Sequence, residues 1–275
     1  MINASCFEVE RLSDLLVRVR MPGDVFAYIA EGAERAAVID TGCGLGPYRA
    51  FVEKRLNGKP YDLILTHGHV DHAGGASEFD RAWMRPEDLP TAAEHTQKAM
   101  RADYIRRSFH ESFTEDDMPA PKADGYDVLR PGQTFELGGE TLEIVDLSGH
   151  TPGSVGILFQ NARTLLAGDA CCSLTLLFAN GASLSVRDYQ AHLRRAWEHC
   201  KDRVDHMLYS HPHNYGGPEV IPQMIALCGE ILNDRDARIP SPGLFGPSYL
   251  AKPMGEDVRR LDGQIANLVY TQDNL

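Results

Sequence analysis

Three runs rich in β-forming residues open the chain: Leu15–Val19, Val25–Ile29 and Ala36–Asp40, separated by Pro22-Gly23-Asp24 and by the stretch 31–35. That is the pattern of a strand meander. Glycines at 42, 44 and 46 break it. A helix is expected from Pro47 to about Leu56, with proline in its first turn and Asn57-Gly58 closing it. Asp62–Thr66 is a short apolar strand. Residues 91–118 have a helical but very polar pattern, carrying Arg101, Arg106, Arg107, Glu111 and the acidic run 115–117, and they end at Pro119 and Pro121. By default such a stretch is a solvated insertion; the alternative is an overhang on a substrate pocket.

Strand-like runs return at Thr141–Asp146, Val155–Phe159 and Thr164–Ala167. A helix follows over Val186–Cys200, with Tyr189, Leu193, Trp197 and Cys200 at helical spacing and Ser185 as its cap. Met207–Ser210 is a strand, and Pro218–Leu232 a helix with one broad apolar face. From Arg238 the tail is loop-like, with a last strand at Ile265–Tyr270. No repeat, low-complexity tract or linker divides the sequence. Residues 1–275 are therefore expected to form a single domain, with a polar helical insertion at about 91–120 and a loop-rich tail from about 238. Two successive strand-then-helix blocks imply two sheets packed face to face with helices outside, the halves meeting near 125–165.

Composition narrows the function classes. Of 275 residues 43% are apolar and 24% charged, ordinary values for a globular chain. The net charge of −12 weighs against a polyanion such as nucleic acid as the main partner. No apolar run approaches the ~18 residues of a membrane helix. The opening Met-Ile-Asn-Ala-Ser-Cys has neither the basic nor the apolar region of a secretory signal, so a cytoplasmic protein with a small-molecule partner is expected. The six cysteines, at 6, 43, 171, 172, 200 and 228, show no C-x-x-C spacing, and are expected to be reduced, mostly as small buried hydrophobes.

The chemistry concentrates in Thr66-His67-Gly68-His69-Val70-Asp71-His72-Ala73-Gly74-Gly75, directly after a strand. In a loop at a sheet edge, His67 and His69 could face one metal while Asp71 and His72 lean toward a second; imidazole and carboxylate suit zinc, iron or manganese. Four ligands cannot complete two sites, and further donors appear at later strand ends: His150 in Ser148-Gly149-His150-Thr151, Asp169 in Ala167-Gly168-Asp169, and His211 in Ser210-His211-Pro212-His213. Each alone is an ordinary loop residue. Their recurrence at the ends of strands makes coincidence a poor explanation.

The H-x-H-x-D-H run at His67–His72, followed in order by His150, Asp169 and His211, resembles the metallo-β-lactamase superfamily of hydrolases; Asp40-Thr41-Gly42 is similar to that family's early strand end. The resemblance implies an α/β fold, a four-layered αββα sandwich of two mixed β-sheets with helices outside. It also implies a dinuclear site, with His67, His69 and His150 on one ion, Asp71, His72 and His211 on the other, and Asp169 bridging. The cofactors implied are two divalent ions, zinc first, with iron or manganese as alternatives. The activity implied is hydrolysis of a small carbonyl substrate (ester, thioester or lactone) by a metal-bridging hydroxide, with Asp71 as the catalytic residue that orients it and moves a proton. Two ions, two carboxylates and one hydroxide leave the site at about +1 inside a protein of −12, a local field suited to a developing oxyanion.

The substrate is not legible. Lactonases of this superfamily place a tyrosine three positions beyond the bridging aspartate, where this chain has Cys172; packing is the favoured role for that thiol. The tail offers Lys252, Arg259 and Arg260 but no basic helical bundle of the glyoxalase II kind. His213, Asn214 and Tyr215 are candidates to line the mouth, as are, more weakly, Tyr104, Arg106 and Arg107. Histidines 95, 110, 192, 199 and 206 are expected to be solvated or core residues. A mononuclear iron persulfide dioxygenase-like oxidoreductase and a non-catalytic metal-binding module stay open as alternatives. Oligomeric state and substrate-binding residues are not assigned.

Overall fold

Strands of the amino-terminal half pair in the order in which they leave the sequence. The computed structural model describes residues 7–108, 113–243 and 246–275; Cys6, His110 and Glu111 lie outside them. Two compact units divide the chain, Met1–Leu142 and Glu143–Leu275.

In the first unit β1 (Glu8–Arg11), β2 (Leu16–Met21), β3 (Val25–Glu31), β4 (Ala36–Ile39), β5 (Tyr61–Ile64), β6 (Ala82–Met84) and β7 (Tyr126–Val128) form one seven-stranded sheet in that order. The first four pair antiparallel as a meander, then β4, β5, β6 and β7 run parallel. The register sets Ile39 opposite Ile64, so the carboxyl ends of β4 and β5 are adjacent and deliver Asp40 and Thr66 side by side. Val17, Val19, Ala27, Ile29 and Val38 are buried on one cluster with Tyr48, Val52 and Leu56 of α1 (Tyr48–Leu56). Asn57 closes that helix in the left-handed conformation, φ +48°, as asparagine tolerates. The ligand-rich run forms the four-residue helix α2 (Val70–Ala73). The polar insertion holds α3 (Leu89–His95) and α4 (Lys98–Ser108).

Beyond these lie β8 (Thr134–Glu136), β9 (Thr141–Asp146), β10 (Val155–Phe159), β11 (Thr164–Leu166), β12 (Leu174–Leu176), α5 (Val186–Cys200), β13 (His206–Leu208), α6 (Val220–Ile231), β14 (Ile239–Gly243), β15 (Gly246–Leu250) and β16 (Asn267–Tyr270). One sheet has the order β13-β11-β10-β9-β8, another β12-β16-β15-β14. The boundary between units falls inside β9. Ser185 caps α5 by accepting the Asp188 N–H. Tyr189 and Leu193 of α5 pack with Ile221, Met224 and Cys228 of α6 on Leu158 and Leu165. Pro222 sits in the first turn of α6, where a missing N–H costs nothing.

The tail corrects the loop expected from Arg238. β14 and β15 form a hairpin that pairs Ile239 with Leu250, and β15 joins β16. Proline hid this. Pro240 is tolerated because β14 is the outer strand of its sheet and owes no hydrogen bond on its open side. Among the described residues no helix is long and apolar enough to cross a membrane.

Candidate metal centre

In the first unit the loop from β5 carries His67 and His69 into α2, which carries Asp71 and His72; all four side chains are buried. Gly68 must be glycine, since a Cβ there would meet the Asp88 carbonyl oxygen at 2.7 Å. Its N–H donates to the buried carboxylate of Asp88, 2.8 Å away. Asp40, in the left-handed region at φ +63°, organises the rest. Its Oδ1 accepts the Thr66 N–H at 2.8 Å, and its Oδ2 accepts the Thr66 hydroxyl at 2.7 Å and faces His72 Nδ1 at 2.8 Å. Thr41 donates its backbone N–H and its hydroxyl to the His72 carbonyl, each at 2.8 Å, and accepts the Gly75 N–H. The end of β4 thus grips α2.

In the second unit His150 lies between β9 and β10, Asp169 after β11 and His211 after β13. His150 Nδ1 is 2.8 Å from the Leu176 carbonyl oxygen. His211 Nε2 is 3.1 Å from Asp169 Oδ2, and His150 Nε2 is 4.0 Å from the same oxygen. Tyr189 supports two of these loops at once. Its ring lies under Gly149, and its hydroxyl donates to the Ala170 carbonyl at 2.7 Å. Burial pushes that phenol well above its ordinary pKa, so it stays a neutral donor.

Donor chemistry fits a divalent cation. Carboxylate and carbonyl oxygens only accept, so His72 and His150 carry the proton on Nδ1 and turn an Nε2 lone pair outward, as a ligating imidazole must. His67 Nε2 and His69 Nδ1 are 3.1 Å apart. A tetrahedral ion with ~2.05 Å bonds sets its ligands about 3.3 Å apart, so one cation could take both nitrogens. Among the described residues the side chains of a kind and grouping that could hold a metal are those expected from the sequence: His67, His69, Asp71 and His72 in one unit, and His150, Asp169 and His211 in the other.

Other candidates fall differently. Tyr104 donates to Asp71 Oδ2 at 2.8 Å. His95, expected to be solvated or in the core, stacks on His69 with ring centroids 5.1 Å apart, and burial lowers its pKa. The signal that could have found both is their place on the insertion, but only packing brings them to the ligand loop. Asn214 accepts the Ser173 hydroxyl at 3.0 Å, which ties it to the loop after Asp169; Tyr215 carries the Arg259 guanidinium over its ring at 4.4 Å. His213 stacks on His211. Cys172 is buried and bonded to the Leu174 carbonyl, and burial raises its pKa, so packing is its role. His192 pairs with Asp146, and His199 with Glu143 beside Arg203.

Gly149 offers a test of the second unit. A Cβ there would sit 2.0 Å from Tyr189 Cδ2, and the ring is buried. Gly149→Ala is expected to lower stability by ~1–3 kcal/mol through overpacking and to displace the His150 loop. Chemical denaturation measures the first effect; an unchanged midpoint would contradict the packing.

Comparison with known proteins identifies the family. Residues 20–212 match the family model for the metallo-beta-lactamase superfamily. An acyl-coenzyme A thioesterase, MBLAC2, of Bos taurus is 24% identical over 157 residues, covering 52% of this chain and 56% of the relative. A hydroxyacylglutathione hydrolase of Acidiphilium cryptum is 28% identical over 159 residues, covering 58% and 54%. The chain thus spans little more than half the length of these relatives. A metallo-beta-lactamase structure from Pontibacter korlensis superposes with a TM-score of 0.56 at 17% identity, covering 81% of this chain and 99% of that one, which speaks to the fold alone. With mixed sheets and helices of the same kind, this α/β chain belongs to the metallo-beta-lactamase superfamily.

Proposed function

We propose that this protein is a dinuclear metal-dependent hydrolase of small carbonyl substrates, and of thioesters in particular. What carries the reading is the pair of preorganised donor sets: buried imidazoles at strand ends, two of them held by Nδ1–H bonds to Asp40 and to the Leu176 carbonyl. Family membership supports the hydrolytic class, and relatives named as an acyl-coenzyme A thioesterase and a hydroxyacylglutathione hydrolase support the thioester.

In this reading His67, His69 and His150 would hold one divalent ion, Asp71, His72 and His211 the other, and Asp169 would serve both; zinc suits the donors best. When bound, the ions supply Lewis acidity toward the carbonyl oxygen and an activated water as nucleophile. The protein's own groups do the rest. Asp40 and Leu176 fix the tautomers of His72 and His150, so no proton competes for the ligating nitrogens. Asp71 holds and passes the proton released as the nucleophile adds. A small substrate needs no basic surface, in keeping with a chain of net charge −12.

Elemental analysis of protein purified without added metal, followed by a screen of thioesters, lactones and phosphodiesters, tests the reading. The expected result is two divalent ions per chain and thioester turnover that a chelator abolishes and zinc restores. One iron per chain without hydrolysis would instead favour the oxidoreductase alternative, and metal without turnover of any ester a binding module.

A further inference from the structure

Helix α4 meets the ligand helix α2 at two matched points. Arg101 and Tyr104 are three residues apart on α4, hence on one face, and Asp71 and Gly74 are three apart at the two ends of α2. Arg101 donates to the Gly74 carbonyl at 3.0 Å and to the Pro119 carbonyl, while Tyr104 donates its hydroxyl to Asp71 Oδ2 at 2.8 Å. A four-residue helix has no stability of its own, so the direction of Asp71 depends on what grips it. α4 is fit for this: Ala102 and Ile105 bury its apolar side with Cys43, Leu45 and Met118.

We infer that Tyr104 is a positioning residue for the second ion, tying down one oxygen of Asp71 so that the other, Oδ1, is presented beside His72 Nε2, 3.7 Å away. The inference rests on the reading of Asp71 and His72 as ligands. A phenol suits the task because it orients the carboxylate without cancelling its charge, as a lysine or arginine would. The polar insertion, on this account, is part of the metal centre.

Stepwise zinc titration of the metal-free chain against a chromophoric chelator, wild type beside Tyr104→Phe, tests it. The first ion should bind alike in both proteins. The second should bind ~10–100-fold more weakly in the variant, while the metal-free chain still folds cooperatively. In an Asp71→Ala background, which leaves the phenol no acceptor at that position, the same substitution should add nothing, since the interaction it removes is already gone. Equal second-ion affinities, or an equal further loss in the Asp71→Ala background, would overturn the inference while leaving the two-ion reading intact. A wild-type chain that takes up fewer than two ions would overturn both.

Discussion

Asp169→Ala should abolish turnover and release at least part of the second ion while the chain stays folded. Asp169 follows Gly168, whose φ of +56° sets the turn, and the Ala170 N–H closes that turn on the Ala167 carbonyl without help from the carboxylate. Fold and donor are therefore separable here. The carboxylate faces His211 at 3.1 Å and His150 at 4.0 Å, so its loss removes an anion that faces both imidazoles. Partners that merely orient a ligand are worth ~10–100-fold, and Asp169, if it bridges as proposed, should exceed the upper end of that range. Elemental analysis, turnover and circular dichroism of one preparation decide the matter. Two ions and full turnover in the variant would refute the bridge.

Residues legible in the sequence share one property: their meaning is local. His67 and His69 follow an apolar strand immediately, His150, Asp169 and His211 do the same, and a strand end followed by a glycine-bearing loop is visible in one dimension. The helices α1 and α5 were legible for the same reason, through Pro47, Asn57 and Ser185 at their ends. What failed was long-range or unpatterned. β1 is invisible because all four residues of Glu8–Arg11 are exposed and nothing alternates. The β14–β15 hairpin was masked by prolines that only an outer strand allows. Tyr104 and Asp71 are 33 positions apart, and no periodicity connects them. Gly149 read as a loop glycine, whereas its actual constraint is the ring of Tyr189 on a helix forty residues away.

Asp40→Ala should cause the largest loss of stability of the substitutions considered. The carboxylate is buried and accepts from three donors: the Thr66 N–H, the Thr66 hydroxyl and His72 Nδ1. Alanine strands those buried donors at ~1–3 kcal/mol each, and it must also adopt φ +63°, which an alanine resists. A cost of ~4 kcal/mol is a large part of a typical folding free energy and would lower the melting temperature by roughly 10 °C. Asp40→Asn separates stability from orientation. Asparagine tolerates the left-handed backbone, but its amide offers one acceptor where the site needs two. If the NH2 takes the place of Oδ2, the Thr66 hydroxyl can turn to accept from it, but the His72 ring must move its proton to Nε2 and block the nitrogen proposed to ligate; if it takes the place of Oδ1, it confronts the Thr66 N–H across a buried gap. The first arrangement costs less, because the imidazole has a second tautomer and the backbone N–H has none. Asp40→Asn is therefore expected to keep most of the stability that Asp40→Ala loses, yet to weaken the second ion ~10–100-fold, as calorimetric metal titration would measure. Undiminished metal affinity in Asp40→Asn would mean that Asp40 braces the loop and does not set the protonation of His72.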